Sequence, residues 1–171
     1  MDETLFPFYS FDTGAFINGW NDIFKPRSFG AVWQQIGALI KLGQVRAVDE
    51  VKYEILKQDD ECAAWVREQK GLFLPLTEDV QLATKKILKA HPRLLGSGGG
   101  LRNSADPFVI ALAMVHHGTV VTQETRSRSM KKPRIPNVCE AFSVPYCSLP
   151  EFVERQGWTF DFGGQPDGGP Q

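Results

Sequence analysis

A chain of 171 residues, 42% of them hydrophobic and 23% charged, has an ordinary globular composition and suits one domain with a sizeable core. The net charge of −1 excludes a general attraction for nucleic acid, so any such affinity has to come from a local basic patch. Cys62, Cys139 and Cys147 have no C-x-x-C spacing, which argues against a disulfide framework and a structural zinc site and for the reducing cytoplasm; acids near the start and no membrane-length apolar run argue against a signal peptide and a membrane partner.

The first apolar stretch, Phe6-Pro7-Phe8-Tyr9-Ser10-Phe11, predicts a buried strand, and Asp12-Thr13-Gly14 stops it and starts a short helix around residues 15–17. A loop containing Pro26 leads to a helix over residues 28–42, capped by Ser28, striped by Phe29, Val32, Trp33, Ile36, Leu39 and Ile40, and closed by Gly43. Residues 45–48 alternate like a strand. Helices follow over residues 49–57 and 59–70, the second turning Cys62, Trp65 and Val66 inward. Residues 72–76 read as a strand whose Pro75 favours an edge or a strand end. The amphipathic stretch 78–91 offers Val80, Leu82, Ala83, Ile87 and Leu88 for packing, and Pro92 stops it.

The glycine-rich residues 96–100 read as a flexible loop, with no Gly-Lys-Ser/Thr to make a phosphate-binding loop of it. Ser104 can cap a helix with Asp106 and Pro107 in its first turn, and the run 108–115, apolar nearly all round, makes that helix central. Gly118 ends it, after His116 and His117, which suit capping better than catalysis. Thr119 to Thr122 form a buried-type strand that delivers Gln123 and Glu124. Residues 135–136 suggest a short strand or turn, 138–142 a helix, 144–147 a strand and 150–156 a last helix. Residues 1–158 are thus expected to be one domain, and residues 159–171 a disordered tail. Strands alternating with helices predict an α/β fold of three layers, with a mainly parallel sheet covered on both faces.

Four acids fall at element junctions: Asp12 after the first strand, Glu54 in the helix after the second, Asp106 in the first turn of the central helix, and Glu124 after the strand at 119–122. Each alone has a plain role as a helix cap, a solvated charge, a partner of the helix dipole or a loop acid. Together they suit a hard divalent cation, without which clustered carboxylates repel one another. Glu50 lies one turn before Glu54 and could share its face.

These residues, in this order, resemble the PIN-domain nucleases. The matching units are Asp12-Thr13 with Ile17 behind them, Val51-Lys52-Tyr53-Glu54-Ile55, the stretch Ala105-Asp106-Pro107 with the apolar run behind it, and Val120-Val121-Thr122-Gln123-Glu124. Together with Lys132-Pro133-Arg134-Ile135-Pro136-Asn137-Val138-Cys139, they look most like a bacterial PIN branch that resembles the VapC-type toxins. Many PIN domains have Asn at the position of Gly14 and Asp at that of Glu124. The resemblance implies an endoribonuclease dependent on Mg²⁺ or Mn²⁺, commonly the toxin of a type II toxin–antitoxin pair. Its partners would be RNA, an antitoxin protein that binds DNA, and in some cases a second copy of the chain.

On that basis Asp12 and Asp106 are expected as direct metal ligands, Glu54 as a ligand or water-positioning acid, and Glu124 as an outer ligand. Thr13 and Thr122 are expected to support them by hydrogen bonds. The basic run Arg126, Arg128, Lys131, Lys132 and Arg134 is either an RNA-binding patch or a solvated loop. Two alternatives stay open: a non-catalytic PIN-like module that binds protein or RNA, and a nuclease for structured DNA.

Overall fold

The computed structural model describes residues 6–95 and 104–160; the loop at 96–100 and the tail from 161 lie outside the described residues. The first strand, β1 (Tyr9–Phe11), is shorter than expected. Pro7 has no N–H to give a ladder, Phe6 is 84% exposed, and Phe8 stacks on His116 instead. Helix α1 (Thr13–Asn18) follows and runs into a single π-helical turn at Gly19–Ile23.

Helix α2 (Pro26–Lys41) begins at Pro26, which is not in a loop, because proline's fixed φ and missing donor suit a first helical turn; Ser28 therefore lies inside the helix. Gly43 turns the chain with a φ of 79°, and the Arg46 guanidinium donates to the Ile40 carbonyl at 2.6 Å. Strand β2 (Val45–Val48) leads directly into α3 (Asp49–Leu56), then α4 (Glu61–Glu68), where Asp60 caps through the Ala63 N–H. Strand β3 (Phe73–Leu74) is cut short by Pro75 and lies at the sheet edge.

Helix α5 (Glu78–Ala90) leaves Leu82 exposed and buries Thr84, whose hydroxyl bonds back to the Val80 carbonyl. A 3₁₀ turn (Pro92–Leu95) precedes the gap, and the central helix is α6 (Asp106–Val115). Strand β4 (Thr119–Val121), α7 (Ile135–Ala141), β5 (Tyr146–Cys147) and α8 (Leu149–Arg155) follow among the described residues. The strand or turn expected at Ile135-Pro136 is the first turn of α7, again because proline is accommodated there.

The strand order is β3-β2-β1-β4-β5 and every pairing is parallel, with Tyr9 opposite Val45 on one side and Thr119 on the other. The two-residue period of β1 sorts its side chains between the layers. Ser10 faces α6 and donates to the Val109 carbonyl at 2.8 Å, with α5 packed outside α6. Phe11 faces the opposite layer, against Phe16 of α1 and Phe152 of α8 at 5.2 and 5.1 Å between ring centroids. The result is the expected three-layer α/β architecture.

Gly118 is fixed by crowding: a Cβ there would lie 2.5 Å from the Phe8 carbonyl oxygen. Two facts now position the site. The sheet winds outward in both directions from β1, so the strand order reverses between β1 and β4, and ligands of open parallel sheets collect beyond the strand carboxyl ends at such a point.

Candidate functional site

Beyond the carboxyl ends of β1 and β4 is a cleft of about 260 Å³ lined by Asp12, Thr13, Gly14, Asn18, Glu54, Asp106, Gln123 and Glu124. Four chain segments far apart in sequence deliver its acids. Asp12 comes from the end of β1, Glu54 from α3, Asp106 from the first turn of α6, and Glu124 from just beyond β4. All four acids anticipated from the sequence meet there, with no basic side chain among the described lining residues. Glu50 does not line the cleft; it has one buried oxygen without a partner, and burial raises its pKa.

The carboxylates are held differently. Asp12 is 5% exposed and fills two roles at once: its Oδ1 accepts from the Thr13 N–H at 2.7 Å, capping α1, and its Oδ2 accepts from the Thr122 hydroxyl at 3.0 Å. Thr122 in turn accepts the Glu124 N–H at 3.1 Å, so one hydroxyl ties the two junctions together. Glu54 accepts from the hydroxyls of Thr13 and of Ser104, the latter at 3.4 Å; Ser104 is thus not the helix cap expected of it. Glu124 accepts the Ile135 N–H at 2.9 Å, at the start of α7. Asp106, also 5% exposed, keeps a buried Oδ2 with no hydrogen-bond partner among the described residues.

Burial and crowding make Asp106 and Asp12 hard to ionise. Burial raises the Asp106 pKa most, followed by the charges of Asp12, Glu124 and Glu54; burial also raises that of Asp12, with Glu124 adding to it and the Thr122 and Thr13 hydrogen bonds opposing it. A positive charge in the cleft would relieve both. The donors are all hard oxygens, and the unshared Asp106 Oδ2 is an acceptor in want of a partner, so the residues fit Mg²⁺ or Mn²⁺. Among the described residues, no three His, Cys, Asp or Glu side chains already surround a single cation position. The reason is visible in the hydrogen bonds: Glu54 and Glu124 direct oxygens to protein donors.

The basic run divides. Arg126 pairs with Glu140 at 3.1 Å, and Arg134 reaches back to the hydroxyl and carbonyl of Thr125. Lys132 is exposed, and Arg128 and Lys131 line a separate groove. Both ends of this loop are clamped by buried Asn137, whose amide oxygen accepts from Ser127 and Arg134 N–H groups and whose amide nitrogen donates to the Ser127 carbonyl. His116 is the C-cap of α6, its N–H donating to the Leu112 carbonyl at 3.2 Å while its ring packs on Phe8, and burial pushes the thiols of Cys62 and Cys139 up to about 12 and that of Cys147 to about 11, far from reactive thiolates.

Reading the sequence missed Asn18, Gln123, Ser104 and Asn137. Asn18 is one helical turn after Gly14, and a Cβ on Gly14 would sit 3.8 Å from its amide nitrogen. The signal for Asn18 was therefore its i+4 spacing from the residue that follows Asp12-Thr13. Gln123 lies between two residues that were named, and its side chain accepts the Leu149 N–H at 2.7 Å, fixing α8 to the cleft rim.

The family described as Domain of unknown function (DUF4411) matches residues 9–160. No curated protein matches the chain. Among solved structures, FitAcB from Neisseria gonorrhoeae is similar over 82% of this chain and 97% of that chain, at 18% identity and a TM-score of 0.48.

Proposed function

The chain belongs to the DUF4411 family, and we propose that its acidic cleft is the active site of a PIN-type endoribonuclease dependent on Mg²⁺ or Mn²⁺. The observation that carries this reading is the convergence of Asp12, Glu54, Asp106 and Glu124 on one small cleft at the switch point of the sheet. Net attack on a phosphodiester by water needs a proton removed from the water, the negative phosphate held against the site, and the leaving oxygen stabilised. A bound divalent cation supplies acidification of water and neutralisation of phosphate charge.

The residues of the chain supply position. Asp12 and Asp106 are the proposed principal ligands: Asp12 is fixed from both sides by Thr13 and Thr122, and Asp106 presents a free oxygen. Glu54, oriented by Thr13 and Ser104, is the proposed ligand or water-positioning acid. Glu124 is the outer acid, held by the Ile135 N–H. The proposed biological setting is the toxin of a toxin–antitoxin pair, with an antitoxin protein covering the cleft.

The decisive experiment is cleavage of total RNA with Mn²⁺ by the wild type and by Asp106→Asn. Cleavage by the wild type alone is the expected result, and equal rates from both proteins would sink the assignment. A second reading, a binding module without catalysis, draws on the turning of Glu54 and Glu124 toward protein donors. It predicts RNA or protein binding with no metal-dependent cleavage by either form.

A further inference from the structure

The loop that leaves Glu124 reaches across to the end of α5, and the two enclose a groove of about 560 Å³, roomier than the acidic cleft. Its polar rim is Arg93 from the 3₁₀ turn and Arg128, Ser129 and Lys131 from the loop; its apolar surface includes His91 and Met130. No acid is among the lining residues, and among the described residues none of the three cations has an ion-pair partner. Met130 is 56% exposed, an unusual place for a thioether, and the ring of His91 is held edge-on to Phe142 at 5.9 Å.

The groove is preformed. Asn137 clamps the loop at Ser127 and Arg134, and Ser127 and Ser129 bond the turn between them, with the Lys131 N–H donating to Ser129. It is also tethered close to the acids: Arg128 is four residues past Glu124, at most about 14 Å of extended chain.

We propose that this groove is a binding site for the phosphodiester backbone of single-stranded RNA to one side of the cleavage point. Arg93, Arg128 and Lys131 contact phosphates, and the His91 ring and the Met130 thioether lie under an unpaired base. This rests on the nuclease reading for the identity of the strand, but the groove is a separate surface from the cleft. A cleft of four acids repels phosphate, so a substrate needs a positive foothold elsewhere, and this groove offers three cations without an ion-pair partner among the described residues, with Arg128 only four residues from Glu124. A single strand fits better than a duplex because only unpaired bases can stack on side chains. The site uses different residues from those a simple count of basic positions selects: it adds Arg93 and His91 and leaves out Arg126 and Arg134, which serve the protein's own structure.

The test measures binding of a fluorescent 12-nucleotide oligouridylate to full-length Asp106→Asn protein over a range of salt, without cleavage. Each single-strand phosphate contact contributes about −0.7 to the slope of log affinity against log salt, so Arg93→Ala/Arg128→Ala/Lys131→Ala should flatten the slope by about two units. A charge-matched control, Lys25→Ala/Lys41→Ala/Lys57→Ala, removes three exposed lysines elsewhere and should leave the slope in place. His91→Ala with Met130→Ala should weaken binding at every salt concentration without changing the slope.

Circular dichroism establishes that each variant is folded. An unchanged slope in the triple variant, an equal effect in the control, or absence of RNA binding by the parent overturns the groove. So does competition by an oligoglutamate peptide at the same concentration as RNA of equal charge, which would make it a site for acidic peptide. The outcomes separate from those of the proposed function: a flattened slope in a chain whose wild type never cleaves keeps the groove and removes the nuclease, whereas cleavage by the wild type with an unchanged slope does the reverse.

Discussion

Asp106 is buried beside three other acids with an oxygen that nothing among the described residues satisfies. Because burial raises the pKa of Asp106 and Asp12, the folded chain holds protons that the unfolded chain has released above pH about 4. Stability of the metal-free protein is therefore fully present below that pH and declines as pH rises toward 7, where Asp12 ionises, and beyond. Urea unfolding in chelator at pH 5 and pH 8 checks the sign: the midpoint should be lower at pH 8, and Asp106→Asn should shrink the difference. A cation taking the place of those protons must release them, so calorimetric Mn²⁺ titrations in buffers of different ionisation enthalpy should report proton release. Metal that binds without releasing protons would mean that it binds away from Asp12 and Asp106. Thr122 is a simpler case. Thr122→Val removes the donor to Asp12 and the acceptor of the Glu124 N–H, and should cost about 1–3 kcal/mol in unfolding free energy.

At the scale of elements, the loop between Glu124 and α7 keeps its shape through one side chain. Asn137→Ala leaves the Ser127 and Arg134 N–H groups without their acceptor, and limited proteolysis should then cut between residues 127 and 133 while the wild type resists. Gly118→Ala sets a methyl against the Phe8 backbone, which cannot swing aside, and should destabilise by about 1–3 kcal/mol; Gly19→Ala meets the movable end of Leu149 and should cost less. The elements that were legible in the sequence had a period or a stop to read: α6 by its apolar run, β2 by its alternation, α5 by its stripe. What the sequence hid was governed by partners distant in the chain. Proline at Pro26 and Pro136 permits a helix start as readily as a loop, and only packing decides. Ser104 looked like a cap until α3 brought Glu54 to it, and the basic run looked continuous until Glu140 and Thr125 drew off Arg126 and Arg134. Asp12, Asp106 and Glu124 were legible because each sits at a junction, where an α/β chain puts its chemistry, whereas Glu54 lies inside α3 and was legible by its spacing from Val51 and Ile55.

Across the whole molecule, near-neutral net charge and a concentrated acidic cleft mean that binding of a polyanion is decided by where charges lie rather than by their sum. Induced expression of the wild type in bacteria should slow growth under the toxin reading, and Asp106→Asn should restore it at equal soluble yield; unaffected growth with abundant wild type would remove that reading. The sheet order has a temporal side as well. Its middle strand is the first of the five to be made, yet the bond from Thr122 to Asp12 spans 110 residues, and β4 must arrive before β1 is paired on both edges. Pairings of such long range make for slow folding, because loop-closure entropy is lost before the contact forms. A ribosome that has made only the first hundred residues has made Asp12 and Glu54 but neither Asp106 nor Glu124, and the four acids meet only after nearly three-quarters of the chain has emerged. The cleft is thus absent from every shorter nascent chain, so under the nuclease reading translation itself delays the moment at which the site is assembled.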